Sequence, residues 1–201
     1  MKKKIKIAIG CFVMIAVAFA YAHIAKTHNL YDQDVDTSAY FNTGIVTETG
    51  VTQQFVSQEE HLDGVKIKST IFRTAENVIF HYSLKDIESG EIVAKGSRSG
   101  EKVKNSKFFE LDFDRVKNCK GKAYELTVYL EGATAEEGVG FSCEPKTEKD
   151  TKLTIDGMDI EDGTLVMKTV TDRFDLETFV VFLAFAVYVI LFMRFLYRLF
   201  K

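Results

Sequence analysis

Between Gln53 and Asp86 hydrophobic and polar residues alternate in short runs separated by turn formers. In the last of these runs Val78, Phe80, Tyr82 and Leu84 fall on one face and Ile79, His81 and Ser83 on the other, which is the period of a strand with one side against a core. Upstream, Ile45 to Phe55 predicts the first strand, and Leu62 to Ile67 follows a polar turn. The same alternation returns at Phe109, Leu111 and Phe113 and at Tyr124, Leu126, Val128 and Leu130, with Val139 and Phe141, Leu153 and Ile155, and Leu165 to Val170 completing the series. Turns punctuate it at Glu88-Ser89-Gly90, Lys120-Gly121-Lys122 and Asp156-Gly157. About seven to nine short strands, with Pro145 as the single proline and no amphipathic helix among them, predict an all-β fold, an antiparallel β-sandwich over residues 45–175.

The two ends follow another pattern. No charged side chain occurs from Ile7 to Ala22 or from Thr178 to Met193. Each run is close to the length that crosses hydrocarbon, so residues 1–26 and 176–201 are expected to be transmembrane helices flanking the sandwich, with a polar stalk at 27–44. The first run also reads as a signal peptide, because Ala18-Phe19-Ala20 and Ala20-Tyr21-Ala22 have the small-residue spacing of a cleavage site.

Charge supplies an orientation. Lys2, Lys3, Lys4 and Lys6 precede the first run, and Arg194, Arg198 and Lys201 end the second. By the positive-inside bias both termini face the cytoplasm and the middle lies outside it, in the cell envelope. From Thr27 to Asp175 there are 18 Lys and Arg against 28 Asp and Glu, a net charge of −10. Such a domain lacks the basic footprint that phosphate backbones need, so nucleic acid is excluded as a partner; the lipid bilayer is the expected one.

Candidate chemistry is sparse. Asp32, Asp34 and Asp36 alternate like the start of a calcium loop, but Thr37 stands where glycine is required and Thr43 where a bidentate Glu is required. His23, His28, His61 and His81 have no metal-site spacing, and Glu59-Glu60 and Glu136-Glu137 are sequence neighbours rather than acids facing one another across a cleft. No catalytic residue, metal ligand or cofactor is expected, and an envelope glycoside hydrolase is the enzymatic alternative. Cys119 and Cys143 stand beside neighbouring predicted strands, where a disulfide between them or two unpaired thiols would both suit an envelope protein. Lys95, Arg98, Lys102, Lys104 and Lys107, continuing through Arg115 to Lys117, Lys120 and Lys122, form a basic stripe that would meet an anionic polymer or lipid headgroups. Among Phe72, Tyr82, Phe108, Tyr124 and Tyr129, alternation buries most, leaving one or two rings to stack on a sugar.

Val51 to Phe141 resembles the jelly-roll, carbohydrate-binding-module-like extracytoplasmic domain of bacterial membrane proteins associated with cell-surface polysaccharide and glycosyltransferase systems. The residues that carry the resemblance are Gln54-Phe55 with His61-Leu62-Asp63-Gly64-Val65, the strand from Val78 to Leu84 ending in Lys85-Asp86, Phe109 to Phe113, and Lys120 to Val128. It implies a non-catalytic, membrane-anchored accessory or glycan-sensing role in polysaccharide assembly or export. The chain has no polytopic glycosyltransferase region, so catalytic work would fall to a polytopic glycosyltransferase or transporter as partner. Phe179, Phe182, Phe185, Tyr188, Phe192, Phe195 and Tyr197, with Ala184 and Ala186, are the residues of the second helix that would meet it. A standalone binder of cell-surface glycan is the alternative.

Overall fold

In a computed structural model the backbone is described for residues 2–200, and the side chains for all of these except 2–4, 6–8 and 24. The elements run α1 (Lys2–Ala22), β1 (His23–Asn29), β2 (Phe41–Asn42), β3 (Val51–Val56), β4 (His61–Phe72), β5 (Ile79–Asp86), β6 (Ile92–Ser99), β7 (Lys107–Lys117), β8 (Ala123–Glu131), β9 (Gly138–Glu144), β10 (Lys152–Ile155), β11 (Met158–Ile160), β12 (Thr164–Leu165), β13 (Met167–Phe174) and α2 (Leu176–Leu199). They form two compact units: residues 27–171, and residues 1–26 together with 172–201.

In the larger unit the strands make two antiparallel sheets. One runs β11-β10-β3-β8-β5-β6; the other runs β1-β13-β4-β9-β12, with β7 also paired to β4 and β2 to β9. Alternation decides which side chains turn inward. Phe80, Tyr82 and Leu84 of β5 are buried, and they stand opposite Leu130, Val128 and Leu126 of β8. Ile67, Phe109 and Leu111 do the same on the other sheet. Phe80 sits where the two inner faces meet, its ring centroid 4.8 Å from Phe109 and 6.3 Å from Phe141. A single apolar cluster therefore serves both sheets.

Polar groups lace the sheets together. Gly96 pairs with Tyr82 across β6 and β5, and a Cβ at Gly96 would come within 2.5 Å of the Tyr82 hydroxyl oxygen. The missing side chain lets the tyrosine ring pass beneath β6, so that its hydroxyl donates to the Asp112 carbonyl of β7 at 2.6 Å. Arg98 Nη1 adds a donation to the Glu110 carbonyl at 2.6 Å. Elsewhere, fully buried Gln53 of β3 accepts from the Leu165 amide of β12 at 2.8 Å while its amide nitrogen donates to the Lys152 carbonyl. Each bond satisfies a group that would otherwise be desolvated without a partner.

The segment expected to be a stalk is a strap laid on the second sheet. The Leu30 amide donates to the Met167 carbonyl, Asp32 N–H to the Glu144 carboxylate, and Phe41 pairs with Cys143. Tyr31, Tyr40 and Phe41, each half-buried, give this otherwise polar segment the apolar surface it needs to stay down. As a result β9 is buried along its whole length.

In the smaller unit α1 and α2 pack side by side. Ala18 and Ala22 are fully buried, and the rings of Tyr21 and Phe182 meet in a tilted pair with centroids 5.2 Å apart. The Asp175 side chain accepts from Thr178 N–H and pairs with Lys26, which caps α2 and places negative charge at its positive end. The 24 residues of α2 extend about 36 Å, more than the roughly 30 Å of a bilayer core, and are uncharged from Thr178 to Met193, so this helix is long and apolar enough to cross a membrane. The described apolar stretch of α1, Ile9–Ala22, is shorter. The side chains of Lys2, Lys3, Lys4, Lys6 and Lys201, on which the expected orientation rests in part, lie outside the described residues.

Candidate functional site

Period-2 alternation that buries Val128 and Leu130 must expose Tyr129, and it does the same for His81 between Phe80 and Tyr82. The register then makes the two outward residues direct neighbours: Tyr129 lies opposite His81, and His81 lies opposite Ser97 of β6. Their rings stack with centroids 4.9 Å apart and planes 13° from parallel. His81 Nε2 is 2.7 Å from Glu131 Oε2 and donates its N–H to that carboxylate, which fixes the imidazole in the stacked position.

One step along the strands Thr127, Ser83 and Lys95 form the next row. The outcome is an open trough of about 460 Å³ on the outer face of β8-β5-β6. Tyr129 and His81 wall one side, Ser83 and Ser97 lie in it, and Lys95 stands on the other side. Its margin toward β3 continues as a polar strip in which Gln54 donates to Glu125 at 2.8 Å and Thr52 faces Thr127. Tyr129 is 39% exposed, enough to offer a ring face, and the Ser83 and Ser97 hydroxyls and the Lys95 ammonium line the same trough. A sugar needs that combination: an apolar C–H face to cover a ring, and hydroxyls that must each find a partner. A larger depression of about 750 Å³, between the chain at Ile45–Thr49 and at Gly132–Ala135, is lined by Thr47, Glu48, Thr49, Thr134 and the half-buried Phe72, and its Thr47 hydroxyl is donated to Asp156 at 2.6 Å.

The basic stripe is not one surface. Lys102, Lys104 and Lys107 gather where β7 begins, and Lys117, Lys120 and Lys122 where it ends, roughly 33 Å away at the rise of a strand. Between them β7 carries Glu110, Asp112 and Asp114, and Arg98 is held by Asp112 at 3.0 Å. Arg115 pairs with Asp63, Lys120 approaches Glu60 and Lys122 approaches Asp86. Only Lys95 of the stripe reaches the trough.

Cys119 and Cys143 are both buried, unbridged thiols, so the disulfide weighed from the sequence is not formed. Cys119 Sγ donates to the Val116 carbonyl in the turn beside Tyr124, while Cys143 lies within β9 between β12 and β2. Burial pushes the Cys143 thiol up to about 12 and also raises that of Cys119, which keeps both protonated and unreactive.

Several of the other acids serve as caps and pairs. Asp32 and Asp36 accept from the backbone N–H groups of Asp34 and Ser38, Glu136 pairs with Arg73, and the Glu59-Glu60 turn lies between β3 and β4. Among the described residues no group of three or more His, Cys, Asp or Glu is arranged to hold a metal ion. Neither a protein-family model nor a curated protein sequence matches the chain.

Of the aromatic residues considered from the sequence, Tyr82 and Tyr124 are core, Phe72 and Phe108 are half-buried, and Tyr129 is exposed. His81 and Glu131 were legible only in part. Alternation placed His81 outward, but its ring partner is 48 positions away and only the β5–β8 register brings them together.

Proposed function

We propose that this protein is a membrane-anchored, non-catalytic glycan-binding component of the cell envelope, its sheets forming a jelly-roll-like sandwich held outside the cytoplasm by its two helices. The observation that carries this reading is the stacked Tyr129–His81 pair walling a trough of hydroxyl side chains. Two supports stand beside it: the apolar, membrane-length α2, and the resemblance of Val51 to Phe141 to envelope carbohydrate-binding domains. The trough offers a surface for holding a saccharide chain. Glu131, the acid bonded to His81 of the trough, is 63% exposed, an arrangement suited to orienting a ring rather than to donating a proton in a closed cleft.

The test uses the full chain in nanodiscs of neutral lipid and a panel of neutral hexasaccharides. The expected outcome is micromolar-to-millimolar binding to at least one of them, weakened about tenfold by Tyr129→Ala, since an aromatic stacking contact contributes about 1 to 1.5 kcal/mol. Unchanged binding by that variant, or hydrolysis of the bound sugar, would sink the reading.

A role as accessory subunit of a polytopic glycosyltransferase or transporter is the second reading. It is favoured by α2, on which Phe185, Tyr188, Phe195 and Tyr197 are all more than half exposed. Recovery of such an enzyme from mildly solubilised membranes with the full chain, but not with a chain lacking α2, is the outcome it requires.

A further inference from the structure

The outer face of β13-β4-β7 carries chemistry that the trough does not use. Lys66 and Lys68 are two apart on β4 and so project from the same face. The antiparallel register sets Lys168 of β13 directly opposite Lys66, and Phe108 of β7 directly opposite Lys68. Like charges opposed across a ladder destabilise a sheet, because their side chains start only about 5 Å apart. One carboxylate answers the three ammoniums: Glu110, 3.2 Å from Lys66 Nζ.

The other two ammoniums lie over rings. Lys168 Nζ is 4.5 Å from the centroid of Phe108 and 6.0 Å from that of Tyr31, and Lys68 Nζ is 5.1 Å from that of Tyr40. Tyr31 itself stacks on Phe108 at 6.2 Å and 29°. The strap thus brings two rings to a sheet face that carries three lysines and one carboxylate paired with them, in a domain whose net charge is −10.

We propose that this face is a second glycan site, separate from the trough, and that it takes an acidic polysaccharide. Carboxylates of the polymer would pair with Lys66 and Lys168, as Glu110 already pairs with Lys66, while the C–H faces of its pyranose rings pack on the exposed parts of Phe108 and Tyr31. The inference stands on residues of β4, β7, β13 and the strap, and none of them lines the trough, so either site can fail without the other.

The experiment measures binding of polygalacturonate, with dextran as the uncharged control and phosphatidylglycerol vesicles as the lipid control. It uses the full chain in neutral nanodiscs, with thermal melting to confirm that each variant is folded. The expected result is binding of polygalacturonate but not of dextran to this face. Affinity falls at least tenfold in the Lys66→Gln, Lys168→Gln double variant and severalfold in Phe108→Ala, and is unchanged in Tyr129→Ala. Loss in the lysine variant with no effect of Phe108→Ala would overturn the saccharide assignment in favour of bare charge attraction. Phosphatidylglycerol vesicles bound as tightly as polygalacturonate, with the same dependence on Lys66 and Lys168, would make the face a lipid contact instead.

Discussion

On the outer face of β8-β5-β6 the side chains are hydroxyls, an imidazole and a phenol; on that of β13-β4-β7 they are three lysines set among aromatic rings. Both faces are built by the same alternation on the same apolar core. They differ in what covers them: the first is open, whereas the second borrows Tyr31 and Tyr40 from the strap formed by residues 30–42. A bare sheet face can offer only the side chains that its own register makes adjacent. A strapped face combines residues far apart in sequence, and it depends on whatever holds the strap in place.

The two faces share one core, and both depend on it. Phe80→Ala removes the ring that meets Phe109 and Phe141, and it is expected to cost about 3 to 5 kcal/mol, with loss of both binding activities together. Denaturant unfolding followed by binding at each face checks this; loss at one face alone would mean that the sheets are not mutually dependent.

Tyr82→Phe is milder. It deletes the bond from the Tyr82 hydroxyl to the Asp112 carbonyl, and a loss of about 1 kcal/mol is expected in the same unfolding assay. Because this bond joins β5 to β7, it touches both faces, and equal small losses of affinity should accompany it.

Glu144 sharpens the difference in a pH-dependent way. Burial pushes its carboxyl from 4.5 up to about 7, so the folded protein holds this proton more tightly than the unfolded chain does. Its contribution to stability is therefore fully present below about pH 4.5 and is lost as pH rises toward 7. Asp32, held low chiefly by Lys146, acts with the opposite sign in the more acid range. Glu144→Gln should flatten the melting temperature between pH 4.5 and 7. It should also remove any pH dependence of the strapped face over that window, leaving the open trough unaffected; an unchanged pH profile would rule out this role of Glu144.

The smallest effect expected is on the thiols. Intact mass under denaturing conditions should be the same with and without reductant, and Cys119 and Cys143 should both be alkylated without prior reduction. A difference of about two mass units would restore the bridge.

The period-2 pattern was enough to place Val78 to Leu84, Phe109 to Phe113 and Tyr124 to Leu130 in strands, and to divide inward from outward side chains, because alternation is a local property of the extended chain. It was enough to mark α2, since length and the absence of charge decide whether a helix suits hydrocarbon. It misread residues 27–44 as a stalk because their anchors are three half-buried rings in a polar run, whose docking surface is assembled from β4, β7, β9 and β13, strands scattered over about the following 130 positions. The basic stripe was legible as composition but not as a surface: Lys107 and Lys117 are ten positions apart in sequence and are separated by the whole length of β7.

Local pattern therefore carries the class of object: strand-rich, acidic in its middle, apolar at its ends, with His81 turned outward and one or two rings left to face solvent. Which residues become neighbours was decided by the tertiary structure. Tyr129 meets His81, and Lys66 meets Lys168, only through the register of strands paired across long stretches of chain. Register is set by the burial of whole strand faces at once, a collective free energy that no short stretch of sequence contains.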